Sequence, residues 1–228
     1  MADKKNVDVD SGEIIIEKAK DFWTRNSKVI LGTGTVLLLL VAGFYYYRHY
    51  VVRPKEEKAW DVMFKAEEYF RTDSFNLALN GDGQNLGFLK VIDRYESTDA
   101  GSLARFYAGA CYIRLGDNEN GAKELEKFST SSKPLQQKAY KLLGDAYGDL
   151  GKNADALENY KKAAHHFEYD KVASAAALYD AAYLADKVMN NQKEAVALYT
   201  ELKEKFPTQA SGLDVDKQLA QLGVYNVN

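Results

Sequence analysis

The chain has 228 residues, of which 46% are apolar and 28% charged, and it has a formal net charge of −3, one cysteine and three prolines. This length allows one domain or two small ones with a real core, and so few prolines favour long helices over a turn-rich all-β fold. One cysteine excludes an intramolecular disulfide framework and a multi-cysteine zinc site, and the slight negative charge excludes a general nucleic-acid binder, which needs a basic face.

The N-terminal segment, residues 1–27, is polar at first and amphipathic afterwards, and we predict that it is cytoplasmic. Its apolar residues recur on one face of a helix that we predict over residues 12–26. Such a helix either lies on a membrane or docks on a partner, or it is a short extension of the helix that follows. The residues that share the apolar face are Ile15, Ala19, Phe22 and Trp23.

The next segment is the most apolar part of the chain. Residues 29–47 carry no charge, and about 20 such residues suffice to cross a bilayer. We therefore predict a transmembrane anchor over residues 28–49 in contact with the lipid bilayer, because a buried core helix is rarely this long without a polar interruption. The predicted anchor residues are Val29, Leu37, Leu38, Leu39, Leu40, Phe44, Tyr45, Tyr46 and Tyr47, the last three forming an aromatic belt.

Basic residues flank both ends of the apolar run, so their distribution does not set the orientation of the anchor. A short N-terminal tail before a large C-terminal domain favours a cytoplasmic N-terminus with the C-terminal domain outside the membrane. The alternative is a cleaved signal peptide, for which Val41-Ala42-Gly43 is a weak cleavage site. The tyrosines that follow fit a retained anchor better.

The C-terminal part is predicted to be all-α. Its apolar residues recur at helical spacing between short breaks rich in Gly, Asn, Asp and Ser, and no stretch alternates long enough to predict a strand. The spacing predicts helix pairs over residues 55–72 and 84–96, 101–115 and 118–129, 135–150 and 153–167, and 171–189 and 192–205. A last helix over residues 211–222 is predicted to cap the stack.

These helix pairs repeat a pattern. Gly109, Tyr112 and Gly116 match Gly144, Tyr147 and Gly151 at an offset of 35 residues. The pattern is a large residue, then Leu-Gly, then Tyr, and then a small–aromatic–small set built on Ala. At this period, it resembles the tetratricopeptide repeat. The predicted fold is therefore an N-terminal single transmembrane helix followed by a tetratricopeptide-repeat-like α-solenoid over residues 55–228.

No residue pattern in the chain indicates catalysis. The rings of His165 and His166 point about 100° apart on a helix, so they cannot chelate one metal well. Cys111 has no histidine close in sequence, and Asp145 and Asp149 are interpreted as a solvated or ligand-facing surface. We predict a non-enzyme without catalytic, cofactor-binding or metal-binding residues, and without a cofactor or small-molecule substrate. An enzyme or ligand carrier whose site is assembled across repeats is the alternative.

Stacked helix pairs bind partners through a concave face, which the first helix of each pair mainly forms. The pattern predicts a groove that is apolar at both ends and charged in the middle. The predicted partner-binding residues are Phe106, Ile113, Arg114, Lys138, Lys141, Asp145, Asp149, Ala177, Ala181 and Leu184.

The order of the segments resembles one family. Residues 16–26 read Ile-Glu-Lys-Ala-Lys-Asp-Phe-Trp-Thr-Arg-Asn, and the apolar run ends in Phe-Tyr-Tyr-Tyr-Arg-His-Tyr before the repeats. This layout is similar to the YfgM family, which are bacterial inner-membrane proteins with one span and a periplasmic tetratricopeptide-like domain. The family carries no agreed set of catalytic residues, so the resemblance transfers none.

The resemblance implies a non-enzymatic scaffold, an ancillary subunit of the Sec protein translocon in the bacterial inner membrane. Its implied partners are the Sec translocon channel subunits and a membrane-anchored periplasmic chaperone of the PpiD type, held near the channel exit. The alternatives are another scaffold for cell-envelope assembly or division, and an organellar outer-membrane receptor with cytosolic repeats.

Overall fold

The computed structural model describes residues 11–225 of the chain, and within them the all-α prediction is confirmed. The described residues contain no strand, and their one β-type contact is an isolated antiparallel bridge between Gly81 and Leu86. The chain divides into two compact units, of which the first ends at Pro54 and the second begins at Lys55.

The first unit is built on one long helix. Helix α1 spans Ser11–Tyr47 and is followed by a π-helical turn over Arg48–Val52. The two separate helices predicted over residues 12–26 and 28–49 are thus joined, because neither Gly nor Pro stands between them. The side-chain Nδ2 of Asn26 also donates to the backbone carbonyl of Phe22 one turn earlier, at 2.9 Å.

The apolar run of α1 stands out for its exposure. Among the described residues, one helical segment near the N-terminus is long and apolar enough to cross a membrane, by length and composition, and none of its most apolar window is buried inside the protein. This is the pattern expected where lipid, rather than protein, surrounds a helix.

The second unit contains the helices α2 to α12, which follow one another with short connections. They are α2 Arg53–Arg71, α3 Phe75–Asn80, α4 Phe88–Tyr95, α5 Asp99–Arg114, α6 Asn118–Glu126, α7 Lys133–Asp149, α8 Asn153–His166, α9 Lys171–Tyr183, a π-helical turn Leu184–Val188, α10 Gln192–Lys205, α11 Pro207–Gly212 and α12 Val215–Gln221.

From α4 to α10, each helix packs against the helix before it and the helix after it in sequence. This nearest-neighbour packing is the architecture of an α-solenoid. Small residues allow the close approach of paired helices: a Cβ at Gly144 of α7 would meet the ring of Tyr160 in α8, and one at Gly109 of α5 would meet Leu125 in α6. The predicted tetratricopeptide-repeat-like solenoid is confirmed.

Two predicted helices differ from those in the structure. The helix predicted over residues 84–96 is shortened to α4, which begins at Phe88, and the short helix α3 was not predicted. Between α3 and α4, Asp82 organises a loop by accepting hydrogen bonds from the backbone N–H of Gln84 and of Asn85, at 2.8 and 2.6 Å. The helix predicted over residues 211–222 is divided into α11 and α12, where Asp214 adopts a left-handed conformation with φ of 52°.

Candidate protein-binding groove

The inner helices α7 and α9 meet at an ion-paired cluster in the middle of the predicted groove. The Nζ of Lys141 lies 2.7 Å from Oδ1 of Asp145 on its own helix and 3.1 Å from Oδ2 of Asp180 on α9. The three side chains remain 34–37% exposed, so solvent or a partner can reach them. We call Lys141, Asp145, Asp180 and the adjoining Tyr160 the groove centre.

Tyr160 of α8 contacts both Lys141 and Asp145 in the groove centre. Its hydroxyl donates a hydrogen bond to Oδ1 of Asp145 at 2.8 Å, and its ring centroid lies 5.1 Å from Nζ of Lys141. Asp145 is therefore held by a cation and a hydroxyl at once, which fixes its carboxylate. The sequence pattern indicated only a packing role for Tyr160, in the face that receives α7.

Burial and charge shift the pKa values of this cluster. Burial raises the pKa of Asp180, and the nearby Lys141 ammonium opposes this shift without cancelling it. For Lys141, burial alone would lower the pKa, but hydrogen bonds and charge attraction from Asp145 and Asp180 raise it overall. Burial is also the largest cause of the strongly raised pKa of Tyr160. Lys141 is therefore charged and Tyr160 is protonated at neutral pH.

Helix α9 presents a different face from the predicted one. Ala177, Ala181 and Leu184 are buried, with exposed fractions of 1%, 0% and 8%. The residues one position earlier, Ala176, Asp180 and Tyr183, reach the surface instead. One residue corresponds to a rotation of about 100° around the helix, so a shift of one position moves the predicted contacts into the core.

Phe106 of α5 is also placed in the core, where its ring packs 5.4 Å from that of Phe128. We therefore remove Phe106, Ala177, Ala181 and Leu184 from the set of surface residues. The other predicted residues reach the surface at least in part: Ile113, Arg114, Lys138, Lys141, Asp145 and Asp149. Asp149 accepts a hydrogen bond of 3.1 Å from the side chain of Asn118.

A cleft with both apolar and polar walls lies between α2, α5 and α7. Trp60 of α2, Leu103 of α5 and Leu135 of α7 form the apolar part of a cavity of about 550 Å³. Its other lining residues are Phe128, Asp99, Ser102 and residues 129–131, most of which are polar. Trp60 is 41% exposed. Sequence analysis missed this cleft because its lining residues come from three helices and the loop at residues 129–131, which are far apart in sequence.

The histidines of α8 and Cys111 have structural surroundings that explain them. Nε2 of His165 lies 2.7 Å from Glu201, which ties α8 to α10, and the ring of His166 stacks edge-on against Tyr140. Cys111 is fully buried, and burial raises the pKa of its thiol to about 12. Among residues 11–225, no group of three or more His, Cys, Asp or Glu side chains could hold a metal ion.

Comparison with known proteins agrees with this architecture. The sequence model of the tetratricopeptide repeat matches residues 176–208, which cover most of α9 and all of α10. A solved structure described as the crystal structure of MamA protein superposes with a TM-score of 0.53 at 16% identity, covering 75% of this chain and 99% of that chain. No curated protein sequence matches the chain.

The chain therefore contains a tetratricopeptide repeat within an α-solenoid of the same class. Solenoids of this class present extended surfaces that bind other proteins. The repeat and the fold together support a protein–protein interaction scaffold.

Proposed function

We propose that this protein is a membrane-anchored, non-enzymatic scaffold that holds a partner protein in the groove of its second unit. The observation that carries the proposal is the composition of one helix face. On α7, Leu135, Lys138, Lys141 and Asp145 follow at steps of three and four residues, so the cleft that Trp60 and Leu135 line and the groove centre share one surface. Such a surface offers a partner both an apolar anchor site and charged contacts.

The proposal extends to the place where the scaffold acts. The layout of the sequence is similar to that of the YfgM family, and this similarity supports an ancillary role at the Sec translocon of the bacterial inner membrane. In this proposal the N-terminus is cytoplasmic and the repeats are periplasmic. The groove holds a membrane-anchored chaperone of the PpiD type close to the channel subunits, at the exit of the channel.

Affinity capture of the full-length chain tests the partner. The chain carries a C-terminal tag, is extracted from native membranes in mild detergent, and is analysed by mass spectrometry. We expect channel subunits and a periplasmic chaperone to be recovered through a moderate salt wash. Enrichment of a different envelope complex without them would contradict the role at the translocon. It would still be consistent with a scaffold that binds another partner.

Matched variants test the groove. The groove variant combines Trp60→Ser, Arg114→Glu and Lys138→Glu, all of which change exposed side chains on the inner helices. The control variant combines Lys123→Glu and Lys162→Glu on the outer helices α6 and α8. We expect the control to retain the partner and the groove variant to lose it. Equal recovery by both variants would show that another surface binds.

Protease protection tests the orientation. In spheroplasts, a protease added outside the inner membrane is expected to degrade the repeats and leave the N-terminal segment. Protection of the repeats would contradict the proposed topology, because it would place them on the cytoplasmic side.

A further inference from the structure

Helix α1 is longer than a bilayer crossing requires. It contains 37 residues, which is about 56 Å at a rise of about 1.5 Å per residue, whereas the hydrocarbon core of a bilayer is about 30 Å thick. The uncharged residues 29–47 alone fill that core. If they form the proposed anchor, residues 14–28 lie outside the hydrocarbon and need another environment.

Residues 14–28 nevertheless carry large apolar side chains with no cover from the protein. Ile15, Ile16, Phe22 and Trp23 are 52–67% exposed. At about 100° per residue, these four side chains and Ala19 fall within an arc of about 120° on the helix surface. Ile14 alone lies on the opposite side. Asn26, near the end of the segment, is the one polar residue within this arc. An exposed apolar arc of this kind marks a surface that is covered in the native environment.

The charges on this segment are arranged around the arc. Lys18 and Lys20 border its two edges, each about 40° from the outermost apolar residue, and Arg25 lies beyond Lys18. Glu17 and Asp21 occupy the opposite pole, where Asp21 pairs with Arg25 at 3.4 Å. Long basic side chains at such edges can lay their stems on acyl chains and reach lipid phosphates.

We propose that residues 14–28 form an interfacial helix that lies on the surface of an anionic leaflet. The segment contains four basic and two acidic residues, so its charge complements anionic phospholipid headgroups. The arc is also wider than the narrow seam of a two-stranded coiled coil. The inference rests on the proposed anchor but not on the proposed partner.

The start of the span can accommodate the bend that this arrangement requires. In the structure α1 runs without interruption, and Gly32 and Gly34 lie in the first turns of the apolar run. The hydroxyl of Thr33 donates to the carbonyl of Val29, and that of Thr35 to the carbonyl of Leu31, each at 2.8 Å. Glycines and such hydroxyl bonds are known sites of helix bending.

Tryptophan fluorescence in vesicles tests the inference on the full-length chain. The chain has two tryptophans, so Trp60→Phe leaves Trp23 as the single reporter. The vesicles contain phosphatidylethanolamine and phosphatidylglycerol, with bromine placed either near the headgroup or near the end of the acyl chain. We expect headgroup-proximal bromine to quench Trp23 about twofold more than deep bromine, because interfacial helices sit at the headgroup boundary. Adding Lys18→Gln, Lys20→Gln and Arg25→Gln is expected to weaken this quenching.

A second reporter separates the inference from the anchor. With both native tryptophans changed to Phe, Leu38→Trp places the reporter in the middle of the span, where deep bromine should quench it. If Trp23 is not quenched while deep bromine quenches position 38, the inference is overturned and the anchor stands. This holds whether Trp23 emits as in water or its emission is blue-shifted because a protein covers it. Absence of quenching at position 38 would contradict the anchor and, with it, this inference.

Discussion

Gly144 gives Tyr160 the space in which it packs and holds the groove centre. A Cβ at this position would lie 2.5 Å from Cε1 of Tyr160, and that ring cannot move aside freely because its hydroxyl is bonded to Asp145. We expect Gly144→Ala to lower the free energy of unfolding by about 1–3 kcal/mol through overpacking. Urea unfolding followed by circular dichroism measures the change.

The matched control for this substitution is Gly148→Ala, one turn further along α7. A Cβ at Gly148 would meet only the hydroxyl of Tyr160, at 3.8 Å. Because alanine favours a helix over glycine, this variant should keep its stability or gain about 1 kcal/mol. Similar stabilities for the two variants would contradict the tight contact at Gly144.

Asp180 is expected to make stability depend on pH. Burial raises the pKa of Asp180 above its ordinary value of 3.8. A carboxyl whose pKa is higher in the folded state stabilises the fold below the unfolded pKa, and this contribution is lost as the pH rises through the folded pKa. The native chain should therefore lose stability relative to Asp180→Asn as the pH rises from about 3 towards neutrality.

Urea unfolding of the native chain and the variant across that pH range tests this expectation. Asp61→Asn, which removes an exposed carboxyl from α2, controls for the loss of one negative charge. A stability difference that stays constant with pH, or that changes in the opposite direction, would show that Asp180 is not the titrating group.

At the residue scale, the sequence predicted surface positions best where side chains differ strongly in size and charge. Lys141 and Asp145 on α7 reach the surface in part, and their contact with a partner stays a prediction. On α9, the alanines within residues 173–177 look alike on every face, so the pattern could not distinguish the inner face from the buried one. Asp180 was missed because its role depends on its distance to Lys141, which lies on another helix.

At the scale of helices, a side chain of α2 caps the N-terminus of α5, which lies about 43 residues later in the sequence. The two carboxylate oxygens of Glu56 accept hydrogen bonds from the backbone N–H groups of Asp99 and Ala100, each at 2.9 Å. These donors belong to the first turn of α5 and have no partner within the helix. Glu56→Ala is expected to lower the free energy of unfolding by about 1–2 kcal/mol, as measured by urea unfolding.

The neighbouring Glu57→Ala provides the control, because it removes an exposed carboxylate of the same size from the same turn of α2. It should change the free energy of unfolding by less than about 0.5 kcal/mol, as is usual for surface substitutions. If both variants lost the same stability, the effect would come from helix charge rather than from the cap on α5.

The existence of most helices was predictable, and their interruptions were not. Apolar periodicity over a dozen or more residues is a strong signal, and it predicted α5, α7, α8 and α10 close to their observed bounds. The short helices α3 and α11 have too few residues to show a period. The loop that separates α3 from α4 depends on Tyr69, whose hydroxyl donates to Asp82 at 2.7 Å from outside the loop.

At the scale of the whole molecule, the second unit carries its own core. Its buried residues form three clusters, and none of the described residues of the first unit, 11–54, belongs to them. We expect residues 55–228 to fold without the preceding segment and to unfold cooperatively. The folding of this fragment can be measured by circular dichroism, urea unfolding and gel filtration. An unfolded or aggregated fragment would contradict the expectation that the second unit folds independently.

The fold of the whole chain could be predicted because repeated units must stack to bury their faces, and the spacing of small and large residues records that stacking. The partner could not be predicted in the same way. A solenoid recognises other proteins through the shape and charge of an assembled surface, and residues such as Trp60 and Leu135, which share one cleft, are far apart in sequence.

The burial of Cys111 has a practical consequence for labelling chemistry. It is the one cysteine of the chain, and a buried thiol with a pKa of about 12 has almost no thiolate at neutral pH. Maleimide reagents should therefore leave the native protein unmodified. A cysteine introduced at an exposed position such as Arg114 or Lys138 becomes the single reactive sulfur, so photo-crosslinkers can be placed along the groove one position at a time without altering the native thiol.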